Sequence, residues 1–470
     1  MNKKTERSGS LMSHTYHTYL AENRNTHLGQ LKDLLSIPSI SALSEHKTDI
    51  SRAAQWIAEA LKAAGMENVK VMPTAGNPVV YGDWLHADSD TTALVYGHYD
   101  VQPVDPLELW QTPPFEADIR EDKIYARGAT DDKGQVFMHI KAVEALLKTE
   151  GKLPVNIRFC IEGEEEVGSP TLESFVKENK ELLTADVLVI SDTPMLEKGK
   201  PAICYGLRGL CAMQIDAKGA KGDLHSGIYG GGVSNPLHGL ANILASFHDN
   251  EGRVAIEGFY DKVTPLTEEE REAFRALGYD EEKVKSELGV GELYGEQGYT
   301  FLERTWGRPT LEINGMYGGF QGEGIKTVLP AEAHAKLSCR LVGEQDPIEI
   351  QQLIEEHVKK HTPPGVEISC TRMDTGRPFI TPHDHPVIQA AMRAYESAYN
   401  ATPALTRMGG SIPIVEAFGR LLGLPVVLMG FGLPGENFHA PNEHFHLENF
   451  DKGLLTICEY WKQLAQTQLR

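Results

Sequence analysis

The sequence predicts an α/β protein into which a second, α+β domain is inserted. Three observations carry this reading. Apolar runs of strand length alternate with segments of helical periodicity. Several of those runs finish abruptly on histidine or carboxylate residues, as strands of α/β sheets do where ligands gather. After about Leu207 the pattern changes to half-buried alternating strands and glycine-rich loops, and the α/β pattern resumes only at about His385.

The chain has 470 residues, enough for two or more domains with buried cores. Its formal net charge is -21, with a pI near 5.3. That balance argues against a nucleic-acid or anionic-membrane surface, and a local carboxylate cluster would attract cations. The six cysteines (Cys160, Cys204, Cys211, Cys339, Cys370 and Cys458) are scattered without a Cys-x-x-Cys pair, so buried free thiols and a reducing, cytoplasmic setting are expected. Residues 1–18 are expected to be a disordered leader. Met1 to Ser13 is polar and basic and is no signal peptide. No apolar segment is long enough to span a bilayer.

The first domain opens with helices predicted over Tyr19–Leu35 and Ile50–Ala64, the latter stopped by Gly65. Strands follow at Val69–Met72 and Val79–Trp84. The run Leu94-Val-Tyr-Gly97-His98-Tyr-Asp100-Val101 reads as a central buried strand, where Gly97 allows close approach. Residues two apart on a strand share a side, so His98 and Asp100 face together. A carboxylate there could fix the imidazole tautomer and free the other nitrogen for a metal. On His-x-Asp alone, a strand-end histidine hydrogen-bonded to an aspartate is the better reading. Prolines 103, 106, 113 and 114 mark the next loop.

Gly128-Ala-Thr-Asp131-Asp132-Lys-Gly leads into a helix reaching about Leu147, and Asp131 at its start could be an N-cap. Val155–Glu162 is a strand followed by Glu164, Glu165 and Glu166. Three adjacent carboxylates after a core strand repel one another, and a nearby cation relieves that. Asp186–Asp192 is another buried strand ending on an aspartate. Three strands thus finish on His98, Glu165/Glu166 and Asp192.

The inserted domain is expected over 208–383. It holds an alternating strand at Leu210–Ala217, the Gly-rich stretch around His225, a helix over Asn235–Phe247, a charged, partly helical segment at 250–310, a strand at Glu332–Leu341 and a helix at Pro347–His361. The first domain, 19–207, resumes over 384–470 with a helix at His385–Tyr399, the loop Arg407-Met-Gly-Gly-Ser411-Ile-Pro413, a strand at Pro425–Met429, a loop from Glu436 through His439 to Glu443, and a last helix at Leu447–Ala465. No internal repeat occurs, and the glycine-rich stretches lack the strand–loop–helix context of a phosphate loop.

His98 and His439 flank three acidic sites, and the five residues make a two-metal set of the imidazole and carboxylate type that suits zinc, manganese or cobalt. Six local contexts recur in order: Tyr-Gly-His98-Tyr-Asp100-Val-Gln-Pro, Gly128-Ala-Thr-Asp131-Asp132-Lys-Gly, Glu-Glu165-Glu166-Val-Gly-Ser, Ser-Asp192, Leu-His225-Ser-Gly and Asn-Phe-His439. Together they resemble the M20 family of metallopeptidases, nearest the cytosolic nonspecific and carnosine dipeptidase group, from about residue 25 to the C-terminus.

The resemblance implies a zinc-peptidase-like catalytic domain with a central mixed sheet, and a lid that also dimerises. It implies two divalent ions per chain, zinc first, with manganese or cobalt as alternatives. His98 and Asp192 would hold one, Glu166 and His439 the other, and Asp131 would bridge them. Asp100 would orient His98, Glu165 would be the general base, and His225 would stabilise an oxyanion. Three consecutive glutamates leave a one-residue slip in that assignment open. A cis peptide between Asp131 and Asp132 is implied. Thr327, Arg340 and Ser411 match substrate-holding positions, with Arg340 suited to a bidentate carboxylate clamp. For His444 and His446 surface roles are expected. The implied activity is hydrolysis of dipeptides by a homodimer paired through its lids. An N-acyl amino acid amidohydrolase is the same-scaffold alternative. A non-catalytic binding protein should lack a ligand or the base, and all are present here.

Overall fold

The computed structural model describes residues 15–410 and 413–469. It divides into two compact units. One comprises the chain up to Ile203 with Pro382–Ala404 and Phe418–Arg470, and the other comprises Cys204–Thr381 with Leu405–Ala417. The second unit therefore takes in a late segment that the expected insertion 208–383 leaves out. Most of the expected leader, residues 1–14, lies outside the described residues. Its last part does not hold as a leader: Thr15 caps a helix that begins at Tyr16, because the apolar face of Tyr16, Leu20, Leu28, Leu31 and Leu35 is buried.

In the first unit, α1 spans Tyr16–Leu35, α2 Lys47–Ala64, α3 Lys133–Glu150, α4 Pro386–Tyr399 and α5 Leu447–Ala465. The strands are β1 (Glu67–Met72), β2 (Val79–Trp84), β3 (Thr92–His98), β4 (Asn156–Glu162), β5 (Val187–Ile190) and β6 (Val426–Leu428). They lie in the order β1-β2-β4-β3-β5-β6. β1/β2 and β2/β4 are antiparallel. β4/β3, β3/β5 and β5/β6 are parallel. The sheet is mixed, and its parallel half delivers the carboxyl ends of β3, β4 and β5 to one edge.

The periodicity of α2 explains its packing. Ile50, Ala53, Ala54, Ile57, Ala58, Leu61 and Ala64 recur at three- and four-residue spacing and are all buried. Gly65, at φ 99°, ends it in the left-handed conformation and donates to the Leu61 and Lys62 carbonyls. α3 is buried at every residue from Lys133 to Leu146, wrapped by α1, α2, α5 and β3. Gly97 permits that contact: a Cβ there would stand 2.4 Å from Val136 Cγ2 and 2.7 Å from Asp132 Oδ2. A three-stranded ribbon, Asp118–Arg120 with Lys123–Tyr125 and His444–His446, joins the late loop to the segment before α3.

The second unit is built on an antiparallel sheet in the order Thr310–Gly318, Glu332–Leu341, Gly209–Lys218, Glu367–Gly376. The helices Pro236–Ala245 and Pro347–His361 pack on it over a core that includes Ile215, Leu240, Phe247, Leu337 and Ile354. All six cysteines are free thiols, five of them buried and Cys370 half-buried. Among the described residues, no helix is long and apolar enough to cross a membrane.

Candidate metal centre

β3 ends on His98, and the chain turns off the sheet at Tyr99 rather than continuing to Val101. Asp100 nonetheless returns to His98: its Oδ1 lies 3.3 Å from Nδ1, and its carbonyl oxygen lies 3.1 Å from the same nitrogen. Both residues are fully buried. The Asp100 carboxylate also accepts the backbone N–H of Glu165 at 3.3 Å and of Glu166 at 3.1 Å. One buried carboxylate thus fixes the ring of His98 and the turn after β4.

That turn sends the side chains of Glu164 and Glu166 in different directions. The strand stops at Glu162, and a single 3₁₀ turn, Glu165–Val167, follows. Glu164 is buried away from the cluster, accepting the Asn77 N–H at 3.0 Å and the Thr171 hydroxyl. Glu166 points to His439, with Oε2 3.3 Å from Nε2. Gln102 holds Glu166 in place, donating to its Oε2 at 2.9 Å and to its carbonyl at 3.3 Å.

Asp131 sits between the two histidines. Its Oδ1 is 3.2 Å from His98 Nε2 and its Oδ2 is 2.9 Å from His439 Nε2. The N-cap reading does not hold: Asp132 is the cap residue of α3, and the Asp131 carboxylate turns to the imidazoles instead. The Asp131–Asp132 peptide is cis. Asp132 accepts the His98 N–H at 3.3 Å. Asp192, just beyond β5, brings Oδ2 to 3.9 Å from His98 Nε2. His439 stands in the left-handed region at φ 56°, on the loop between β6 and α5, with its ring half exposed.

The cluster is charged against itself. Burial pushes the carboxyls of Asp192 and Asp132 well up, and neighbouring acids add to this. Burial also raises Glu165 to about 7, with Glu166, Asp131 and Asp100 reinforcing it against the opposing pull of His98. Burial works against a charged His98, yet the carboxylates beside it raise its pKa overall. Hydrogen bonds to Asp131 and Glu166 raise His439 to about 10. Burial notwithstanding, the two histidines hold Asp131 well below the usual carboxylate range.

The residues fit divalent metal. His98 Nε2 is buried with no hydrogen-bond partner while facing two carboxylates. Ligating atoms of His98, Asp131 and Glu166 lie within 4.8 Å of one another. Imidazole nitrogen with carboxylate oxygen is the donor set of zinc, manganese and cobalt sites.

His225, Thr327 and Arg340 belong to the second unit, and His444 and His446 to the first. His225 is exposed on a two-residue ladder, paired with Val328, and its Nδ1 accepts the Gly227 N–H at 3.0 Å. Thr327 directly precedes Val328 at the end of that ladder, its carbonyl accepting the Ser226 N–H at 3.1 Å. Arg340 lines a cavity of about 410 Å³ with Arg208, Glu312 and Ser338. Ser411 lies outside the described residues. The expected surface role of His444 does not hold: it is buried, its ring stacked on Tyr125 across the ribbon. His446 is half-buried, with Nδ1 2.6 Å from Glu436 Oε1.

Sequence reasoning assigned no role to Gln102, Glu436 or Glu443. Gln102 lies within the Tyr-Gly-His98-Tyr-Asp100-Val-Gln-Pro motif, which was its only signal.

A mixed α/β sheet whose strand ends gather imidazole and carboxylate groups, with an α+β unit inserted, has the build of a metal-dependent hydrolase. The profile of peptidase family M20/M25/M40 matches residues 94–463. The chain is 33% identical over 452 residues to the Cys-Gly metallodipeptidase dug1 of Schizosaccharomyces pombe, covering 93% of this chain and 95% of that one. It is 34% identical over 397 residues to the human Beta-Ala-His dipeptidase, covering 83% and 78% of the two chains. Among solved structures, the M20 family metallo-carboxypeptidase Sso-CP2 of Sulfolobus solfataricus superposes with a TM-score of 0.80 at 36% identity, covering 94% of this chain and 99% of that one. The chain belongs to peptidase family M20/M25/M40.

Proposed function

We propose that this chain is a broad-specificity dipeptidase that uses two divalent ions, zinc first, with manganese or cobalt as alternatives. The observation that carries the two-ion reading is Asp131, with one oxygen toward His98 and the other toward His439. His98 and Asp192 would hold one ion, Glu166 and His439 the other, and Asp131 both. Two of the relatives named above are dipeptidases, which supports the substrate class.

Ions held there supply Lewis acidity and bring the pKa of water toward neutrality. Asp100 keeps the Nδ1 side of His98 engaged, so Nε2 stays free to ligate. Glu165 takes a proton from the attacking water and passes it to the leaving amine nitrogen. His225 donates to the carbonyl oxygen as charge develops on it. Arg340 clamps the substrate carboxylate, and Thr327 and Ser411 hold the rest.

The working form is a homodimer paired through the second unit, in the cytoplasm. Supporting the dimer, the edge strand Thr310–Gly318 and its surroundings expose Ile313, Met316, Tyr317 and Phe320. Six free thiols support the compartment.

The test is a substrate panel of dipeptides, tripeptides and N-acyl amino acids, with zinc, manganese or cobalt added. Dipeptides should turn over fastest, and a chelator should abolish the activity. Preference for N-acyl amino acids would replace this reading with the amidohydrolase one. Preference for tripeptides with release of the C-terminal residue would replace it with a carboxypeptidase, the activity named for the Sulfolobus protein. Full activity in metal-free protein would remove the metal centre itself.

A further inference from the structure

Two loops far apart in sequence carry the ligands that meet at the centre of the site. Gly128–Asp131 brings Asp131, and the stretch from Leu433 to His446 brings His439. Between them lies Glu443, which is fully buried. Its Oε1 accepts the backbone N–H groups of Thr130 at 3.0 Å and Asp131 at 3.2 Å. Its Oε2 accepts Arg127 Nη1 at 2.8 Å and the Gly128 N–H at 3.0 Å. Its own carbonyl accepts the Ala126 N–H at 3.1 Å.

Four donors fill the acceptor capacity of one carboxylate. Glu443 therefore has no lone pair left to offer a metal, although it stands beside Asp131. A neutral group would suit an acid-rich centre better on charge alone, so the reason for a carboxylate is geometric. Only a planar group with two acceptor oxygens can satisfy three backbone N–H groups and a guanidinium together. Buried Arg127 balances its charge.

A second buried carboxylate on the same loop repeats the device. Glu436 Oε2 accepts the Thr130 hydroxyl and the Leu433 N–H, each at 2.8 Å. Its Oε1 accepts the His446 N–H at 2.9 Å. The 128–131 turn is thereby held to the His439 loop at Gly128, Thr130 and Asp131.

We propose that Glu443 is a positioning residue of the metal centre. By fixing the backbone of Gly128–Asp131, it makes Asp131 present one oxygen to each histidine. This rests on the two-ion reading above.

The test measures metal content and affinity of folded protein by competition with a chromophoric chelator. Activity is not the readout. Glu443→Gln puts an NH₂ where an acceptor stood, so it must face at least one pair of existing donors. Affinity should fall about 10- to 100-fold, as for other groups that orient metal ligands. Arg127→Met removes the buried cation but leaves all three backbone N–H bonds, and should cost stability with a much smaller change in affinity. If Glu443→Gln fails to fold, Glu443→Asp, which withdraws the same charge by one methylene, should show at least a tenfold loss. Wild-type affinity in a folded Glu443 variant overturns the proposal. So do equal affinity losses in the Glu443 variant and Arg127→Met. Wild-type protein that binds no metal would instead overturn the two-ion reading.

Discussion

At the scale of single residues, the three consecutive glutamates show how little sequence spacing says about side-chain direction. Glu164 serves the fold through Asn77 and Thr171, Glu166 faces His439, and Glu165 sits between them. Distinct outcomes follow for three like substitutions. Glu165→Gln should keep its metals and lose about 10² to 10⁴-fold in turnover, the range of a lost general base. Glu166→Gln should lower metal content, and Glu164→Gln should lower the melting temperature with metal content unchanged. Metal analysis alongside turnover separates the three, and loss of metal from Glu165→Gln would shift the assignment by one residue.

A second residue-scale expectation concerns acid. His139 is buried in α3, with Nε2 2.8 Å from Ser191 Oγ, and burial lowers its pKa from 6.5 to about 3. Between those values the unfolded chain binds a proton that the folded chain refuses, so stability is lost as pH falls. The slope from this one group reaches at most about 1.4 kcal/mol per pH unit. In chelator-treated protein, His139→Gln should unfold with a shallower pH dependence between pH 6.5 and 4. An unchanged slope would remove His139 from the acid transition.

At the scale of elements, the segment Leu405–Ala417 joins the second unit through a buried cluster. Arg407 bridges to Glu270 at the first turn of the helix Glu268–Ala276, and the Tyr205 hydroxyl donates to the same carboxylate at 2.8 Å. The other Glu270 oxygen accepts the Thr267 N–H at 3.0 Å, completing a capping box. Arg208 adds a bond from Nε to the Gly409 carbonyl at 3.1 Å. The charged helix Glu268–Ala276 thus anchors Arg407. Glu270→Ala leaves the Arg407 charge buried and unpaired, which should cost about 3 kcal/mol. Chemical denaturation checks this, and a loss under 1 kcal/mol would mean the ion pair contributes little.

At the scale of the whole molecule, the expected residues divide between two units. The five proposed ligands, Asp100 and Glu165 lie in one, and His225, Thr327 and Arg340 in the other. With the homodimer proposed above, His225 would serve the partner's site. Complementation tests this: one subunit carries Glu165→Ala and the other His225→Ala, each inactive as a homodimer. Random exchange at equal amounts makes half of all dimers mixed, with one intact site in each. About a quarter of wild-type sites should then return. Verified subunit exchange with no recovery would place His225 in its own chain's site.

The sequence by itself determined the kind of centre. Strand-length apolar runs ending on His98 and Asp192, the acidic run after β4 and the motifs around Asp131 and His439 carry residue types that a cation reconciles. Those signals are local, because a strand end and its polar terminus are neighbours in the chain. The insertion was legible for the same reason, since its alternating strands break the α/β rhythm. Only the tertiary structure decided what each carboxylate does. Asp131 reads as a helix cap until His98 and His439 stand on either side of it, and Glu443 reads as a loop residue until the N–H groups of Gly128, Thr130 and Asp131 converge on it. Those partners lie more than 300 residues from Glu443 in the chain. A carboxylate's role is set by the donors that surround it, and packing, not spacing, brings donors together over that distance.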